Sequence, residues 1–245
     1  MQRDLKEAYA ELEREHWWFR ARRRILLDIA RRFVRAGDVD GFRIADIGCG
    51  PGANPEAFSE LGDVTGVEIS ADALDALSPV AGARKIVASA AATGLPEKSF
   101  NLVLCLDVLE HLEDDRAALA ECLRITAPGG AAIVTVPAVR GLWSAHDCAN
   151  MHLRRYEKAH LVRLACGAGY GVEFATYFNA FLFLPAVLVR MIFSGRGVGG
   201  SDFVTGGGIV NRLLEAVFTL ERSMLRISPL PFGMSICAVL RKPKD

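Results

Sequence analysis

The 245-residue chain has no C-x-x-C pair, no excess of either charge and no apolar run long enough to span a bilayer. Its six cysteines, Cys49, Cys105, Cys122, Cys148, Cys166 and Cys237, are scattered, and several fall inside apolar strand or helix patterns. That argues against a disulfide framework or a zinc centre and predicts small buried thiols in a reducing compartment. Lys and Arg number 29, as do Asp and Glu. No global field therefore draws the protein to a polyanion, and nucleic acid is not an expected partner. A membrane-crossing helix needs ~20 apolar residues, whereas the most apolar stretch, Ala180 to Phe193, is shorter and is interrupted by Pro185 and Arg190. Met1 to Glu15 is dense in charge and lacks the apolar core of a secretory leader, so a cytoplasmic location is expected. The apolar stretch leaves peripheral contact with the inner face of the membrane open.

What is present is organised around Ile44 to Asn54, where an apolar strand runs into glycines at alternate positions, Gly48, Gly50 and Gly52. Glycine suits a chain that turns sharply while a ligand approaches its backbone, where a Cβ would collide. A helix-compatible segment, Pro55 to Leu61, follows and would direct N–H groups at that ligand. From Arg43 to Gly141 short Val- and Ile-rich runs alternate with helix candidates, the clearest at Asp114 to Thr126. The runs are Arg43–Ile47, Val64–Glu68, Arg84–Ala88, Asn101–Leu106 and Ala131–Val136. Such alternation predicts a doubly wound α/β sheet, with Pro128-Gly129-Gly130 breaking the chain before the fifth strand.

Asp46 and the glycines read D-x-G-x-G-x-G, which resembles motif I of the class I S-adenosylmethionine-dependent methyltransferases. Gly94 to Val103 and Leu123 to Gly130 are similar to that family's approaches to the fourth and fifth strands. The resemblance implies S-adenosylmethionine as cofactor. Asp46 would hold its amino group, with Gly48, Cys49, Gly50 and Gly52 passing under the methionine part. Glu68, twenty positions past Gly48, would accept from the ribose hydroxyls, followed by Ile69. The usual acid for the adenine amino group is missing from Ser89-Ala90-Ala91-Ala92, so Ser89, Ala90 or backbone groups would serve. Leu106 and Asp107 would lie near the reacting methyl. In the ubiquinone-pathway O-methyltransferases a segment similar to Asp107-Val108-Leu109-Glu110-His111 can hold a divalent cation. Here Glu110 and His111 are read as supporting the next turn, with no metal.

The loop after the fifth strand concentrates His146, Asp147, His152, Arg154, Arg155 and Tyr156, at the edge where doubly wound folds place ligands. It resembles a stretch found in a subgroup of type-11 methyltransferases. His146 and His152, with His111 behind them, are candidate bases. Trp143, Asp147, Arg154, Tyr156 and Trp18 are candidate contacts for a small-molecule or lipid-linked acceptor. Trp17, Trp18 and Phe19 either anchor an N-terminal helix or cap the mouth of the site, and Arg20 to Arg24 is read as a solvated face. The expected organisation is an N-terminal helical cap over 1–41 and a Rossmann-like core over 42–178. An apolar helical insertion over 179–231 and a last strand and tail over 232–245 complete it. The seven-stranded sheet would be mostly parallel with its last strand antiparallel. The insertion suits a dimer interface, a lid, or a membrane-facing segment. A nicotinamide oxidoreductase and a non-catalytic S-adenosylmethionine-binding partner are the competing readings.

Overall fold

The computed structural model describes residues 11–34, 41–72, 84–181, 183 and 208–244. Seven strands form one sheet: β1 (Arg43–Ile47), β2 (Asp63–Glu68), β3 (Arg84–Val87), β4 (Phe100–Leu106), β5 (Thr126–Pro137), β6 (Gly171–Phe178) and β7 (Ser235–Arg241). Their order is β3-β2-β1-β4-β5-β7-β6. β1 to β5 pair in parallel, and β7 runs antiparallel between β5 and β6. The expected doubly wound sheet with a reversed last strand is therefore observed. β5 begins earlier than the Pro-Gly-Gly break suggested. Its pairing with β4 jumps from Phe100 opposite Thr126 to Leu102 opposite Ala131, so Ala127 to Gly130 bulge out without ending the strand.

The helices are α1 (Trp17–Phe33), α2 (Ala53–Phe58), α3 (Asp115–Ile125), α4 (Ala145–Ala149), α5 (Lys158–Gly167) and α6 (Gly208–Ile227). Strand side chains alternate between two cores because successive Cβ atoms point to opposite faces. Val103, Cys105, Val134 and Ile236 meet Leu119, Cys122 and Ile125 of α3 and Leu161 of α5 on one face. Leu102, Leu104, Ile133 and Val239 meet Ile25, Leu26 and Ile29 of α1 and Phe218 and Leu225 of α6 on the other. α3 starts on the Asp114 side chain, which accepts from Ala117 N, and ends at Thr126. Trp17 and Phe19 are buried on α1, and the Trp17 and Trp18 rings lie 6.4 and 6.5 Å from Phe218 of α6.

Arg22 departs from the solvated face assigned to Arg20 to Arg24, and Glu221 is a second charged residue in the interior. Arg22 is buried beneath α1, in step with Leu26 one turn on, and reaches the sheet. Glu221 is fully buried on α6, where its carboxylate accepts from the backbone N–H groups of Asn179, Ala180 and Phe181 at 2.6, 2.7 and 3.0 Å. It satisfies three donors just after β6 that would otherwise be stranded. The apolar segment Ala180 to Phe193 lies mostly outside the described residues.

Candidate functional site

The glycine turn sits at the carboxyl end of β1. Gly48 N and Cys49 N both donate to Val67 O, at 2.7 and 3.1 Å, which pins the turn to the end of β2. Gly48, Gly50 and Gly52 have φ of 70, 54 and 95°, in the left-handed region. A Cβ on Gly48 would stand 2.5 Å from Val108 Cγ2, so both backbone and packing demand glycine there. The helix that follows, α2, is six residues long and starts earlier than expected.

Glu68 closes β2. One carboxylate oxygen accepts from Gly50 N and the other from Ser70 N, both at 3.1 Å. Each oxygen keeps a second lone pair, so the group is fixed in place yet able to accept from a diol. Ile69 beside it is 72% exposed, and the Cys49 thiol is buried against Gly66. Ser89 Oγ accepts from Ala91 N at 3.3 Å, and Ala90 is half-buried against the core.

Behind the turn lies a charged interior. Asp46 is fully buried, and neither of its carboxyl oxygens has a partner among the described residues. Burial pushes it up to about 8; Arg22 works against this, while Glu13 and Glu68 add to it. Glu13, from the helical residues ahead of α1, is raised by burial to about 7 despite Arg22, Arg23 and Arg14. Arg22 donates to Thr135 Oγ1 at 2.8 Å and meets Asp107 Oδ2 at 2.7 Å. Thr135 in turn donates to the other Asp107 oxygen at 2.9 Å. Asp107 adopts φ of 56° as the chain leaves β4, directly after buried Leu106. Sequence reasoning missed Arg22 and Glu13; the fit of Arg22 to the buried stripe of α1 was the signal available. Arg22 is thus the buried cation that acts on Glu13, Asp46, Asp107 and Glu110 together. An interior so rich in carboxyl groups favours a cationic ligand beside it.

The loop after β5 folds back onto the turn after β4, where Leu153 N donates to Glu110 O at 2.7 Å. Asp147 is fully buried: Arg155 grips it with two nitrogens at 2.8 and 2.9 Å, His152 Nδ1 lies at 2.9 Å, and Ser144 N donates at 2.8 Å. Burial opposes its ionisation, but His152 and Arg155 outweigh that and hold it well below the carboxylate range. The oxygens of Asp147, expected as an acceptor contact, are thus taken by groups of its own chain, His152 among them. Tyr156, likewise expected as an acceptor contact, is fully buried and donates to Asp115 Oδ2 at 2.8 Å. Arg154 is committed to Asp115 Oδ2 at 3.2 Å and Glu113 O at 3.0 Å. Trp143 is exposed. Trp18 packs edge-on against Phe19 with the Arg22 guanidinium 5.4 Å from its ring. His146 lies on α4, and its side chain falls outside the described residues.

His111 and His152 come together, their rings edge to face at 4.9 Å. Burial, then His152, lowers His111 below the usual histidine range. Ligand atoms of Glu110, His111 and His152 all lie within 4.8 Å of one another. Glu110 is buried, and neither of its oxygens has a partner among the described residues. The sequence had paired Glu110 and His111 with Asp107; the fold pairs them with His152.

Residues 45–134 match the family described as "Methyltransferase domain". The chain is 38% identical over 101 residues to the ubiquinone biosynthesis O-methyltransferase of Rhodopseudomonas palustris, covering 39% of this chain and 40% of that protein. It is 31% identical over 137 residues to the enzyme of the same name from Paracidovorax citrulli, covering 50% and 56%. Among solved structures it resembles Haemonchus contortus phosphoethanolamine N-methyltransferase 2 in complex with S-adenosyl-L-methionine (TM-score 0.58, 19% identity, 89% of this chain and 52% of that chain). It also resembles the [4+2]-cyclase SpnF (TM-score 0.60, 18% identity, 90% and 80%). Those structural likenesses concern the fold alone, since one fold hosts many chemistries. The chain spans about two fifths to just over half the length of the curated relatives named here.

Proposed function

We propose that this chain is a class I S-adenosylmethionine-dependent methyltransferase that transfers the methyl group of S-adenosylmethionine to a small-molecule acceptor, a reading supported by the methyltransferase-domain match over residues 45–134. The observation that carries the reading is the buried, unpartnered carboxyl of Asp46 behind a turn that also fixes Glu68. Asp46 takes the amino group of the cofactor and Glu68 its ribose hydroxyls. The carboxyl-rich interior accommodates the cofactor's positive charge. The cofactor supplies an activated methyl, so the protein's work is positioning and exclusion of water.

His152 is the base. Its Nδ1 faces Asp147, which makes Nε2 the nitrogen that takes the proton of an acceptor hydroxyl or amine. A second reading attaches to the same atoms: Glu110, His111 and His152 suit a divalent cation, which would polarise an acceptor oxygen. A metal-bound imidazole cannot serve as base, so chelation separates the two. Retained turnover after chelator treatment supports the base; lost turnover restored by divalent metal supports the cation.

Calorimetric titration with S-adenosylmethionine, its demethylated product and NAD tests the cofactor. Heat with the first two and none with NAD is expected, and the reverse removes the reading. Turnover on a panel of phenolic, amine and lipid-linked acceptors then distinguishes an enzyme from a non-catalytic binder.

A further inference from the structure

An ordinary surface helix turns polar residues outward. α6 instead carries a row of large apolar side chains outward among its exposed arginines. Phe218, Glu221 and Leu225 face inward, while Ile209, Leu213, Leu220, Met224 and Ile227 recur on the outward side at helical spacing. Ile209 and Ile227, at the two ends of that stripe, are 85% and 87% exposed. At a rise of about 1.5 Å per residue the stripe extends roughly 27 Å along the surface. Isolated exposed apolar side chains need no explanation, but a continuous stripe marks an interaction surface.

Alongside it, α6 and α1 enclose an open groove of about 540 Å³ lined by Arg20, Arg24, Arg212 and Arg222, with Glu215 its lining carboxylate. Arg20 and Arg24 share Glu215 at 3.3 and 2.5 Å. Arg222 lies 3.2 Å from Asp28, which Arg226 also engages. Four of these guanidinium groups meet two carboxylates, and with Arg212 an excess of three positive charges stands beside the apolar stripe. Arg212 has no carboxylate within salt-bridge distance among the described residues.

We propose that this face of α6, with the arginine groove beside it, docks on an anionic phospholipid surface. Apolar side chains would enter the headgroup boundary while the guanidinium groups meet lipid phosphates, as interfacial amphipathic helices do. Charge complementarity selects this occupant over the two alternatives. A second copy related by a two-fold axis would bring the same surplus of arginines against itself. The chain's own residues 184–207 carry Arg190, Arg196 and Asp202 as their charged groups, a net positive charge that does not complement the arginine excess. Among the described residues no helix is long and apolar enough to cross a membrane, so the contact lies on the bilayer. The proposal does not depend on the methyl acceptor: the probe is a vesicle, and no cofactor is added.

Co-sedimentation of the full chain with vesicles of phosphatidylcholine alone, and of phosphatidylcholine mixed with phosphatidylglycerol, tests it. Binding is expected with the mixed vesicles and to fall with added salt. Arg212→Gln should lower the partition coefficient about fivefold. The pair Leu220→Ser and Ile227→Ser, both on the exposed stripe, should abolish binding with an unchanged circular dichroism spectrum. Equal binding to neutral vesicles, or undiminished binding by the serine pair, overturns the proposal. So does a dimer in sedimentation velocity that the serine pair dissociates while no vesicle is bound; the face is then a self-interface. A large fall in thermal midpoint for that pair without vesicle binding overturns it too, because the stripe is then covered by the chain itself.

Discussion

Asp46→Asn is the sharpest perturbation available. In the ligand-free protein the carboxyl is fully buried, without a partner among the described residues, and pushed up to about 8 from an ordinary 3.8. Between those values the folded chain keeps a proton that the unfolded chain releases. The stabilisation is therefore full below about pH 4, declines as pH rises, and is gone above about pH 8. The slope is about 1.4 kcal/mol per pH unit, so roughly 4 kcal/mol is lost between pH 4 and 7. That is a large part of a typical domain's stability. Asparagine cannot ionise, so its stability lacks this term. Its unpaired amide costs about 1–3 kcal/mol, but equally at each pH. Urea unfolding followed by tryptophan fluorescence at pH 5, 6, 7 and 8 reads the difference. The variant should gain on wild type with each step upward, and the gain should shrink once S-adenosylmethionine is saturating, because the ligand's ammonium lets Asp46 ionise. Glu13 titrates in both proteins, so only the part of its titration coupled to Asp46 enters the difference. Parallel profiles for the two proteins would refute the reasoning.

Gly48→Ala meets Val108 at 2.5 Å on a backbone of φ 70° and should cost about 1–3 kcal/mol by urea melt, with at least a tenfold loss of cofactor affinity by calorimetry. His152→Ala should lower kcat by about 10²–10⁴ at saturating cofactor while the cofactor Kd stays within about twofold; unchanged kcat removes His152 from the reaction. Asp147→Asn should lower kcat with it, and a wild-type pH–rate profile for that variant would show that Asp147 does not set the imidazole. Glu221→Ala strands three backbone N–H groups and should lower stability by about 2–4 kcal/mol; a thermal midpoint equal to wild type would deny the buried carboxylate its role.

The sheet was legible because its signals are local. Parallel strands buried on both faces read as short Val- and Ile-rich runs, and the glycines with Asp46 and Glu68 occupy fixed positions at strand ends. What the sequence hid depends on which element covers which. The run Arg20 to Arg24 looks uniform, yet helical phase sends Arg22 inward and leaves Arg20 and Arg24 exposed. Tyr156 and Arg154 looked like acceptor contacts because they follow the fifth strand. Their partner Asp115 is about forty residues away in sequence, so no spacing rule could have shown them committed to it. The burial of Glu221 is hidden for a similar reason, since the donors it satisfies lie just beyond β6, far from it in the chain.

The place of β7 bears on how the molecule comes into being. Val136 of β5 pairs with Ile236, one hundred positions later. During synthesis, β5 therefore presents a row of vacant peptide groups until Ser235 to Arg241 have left the ribosome, and β6 has no neighbour in the sheet until then. An unpaired edge of that kind invites strands from other nascent chains. Closure over so long a loop is slow, which makes a ribosome stall before residue 235 a hazard for aggregation.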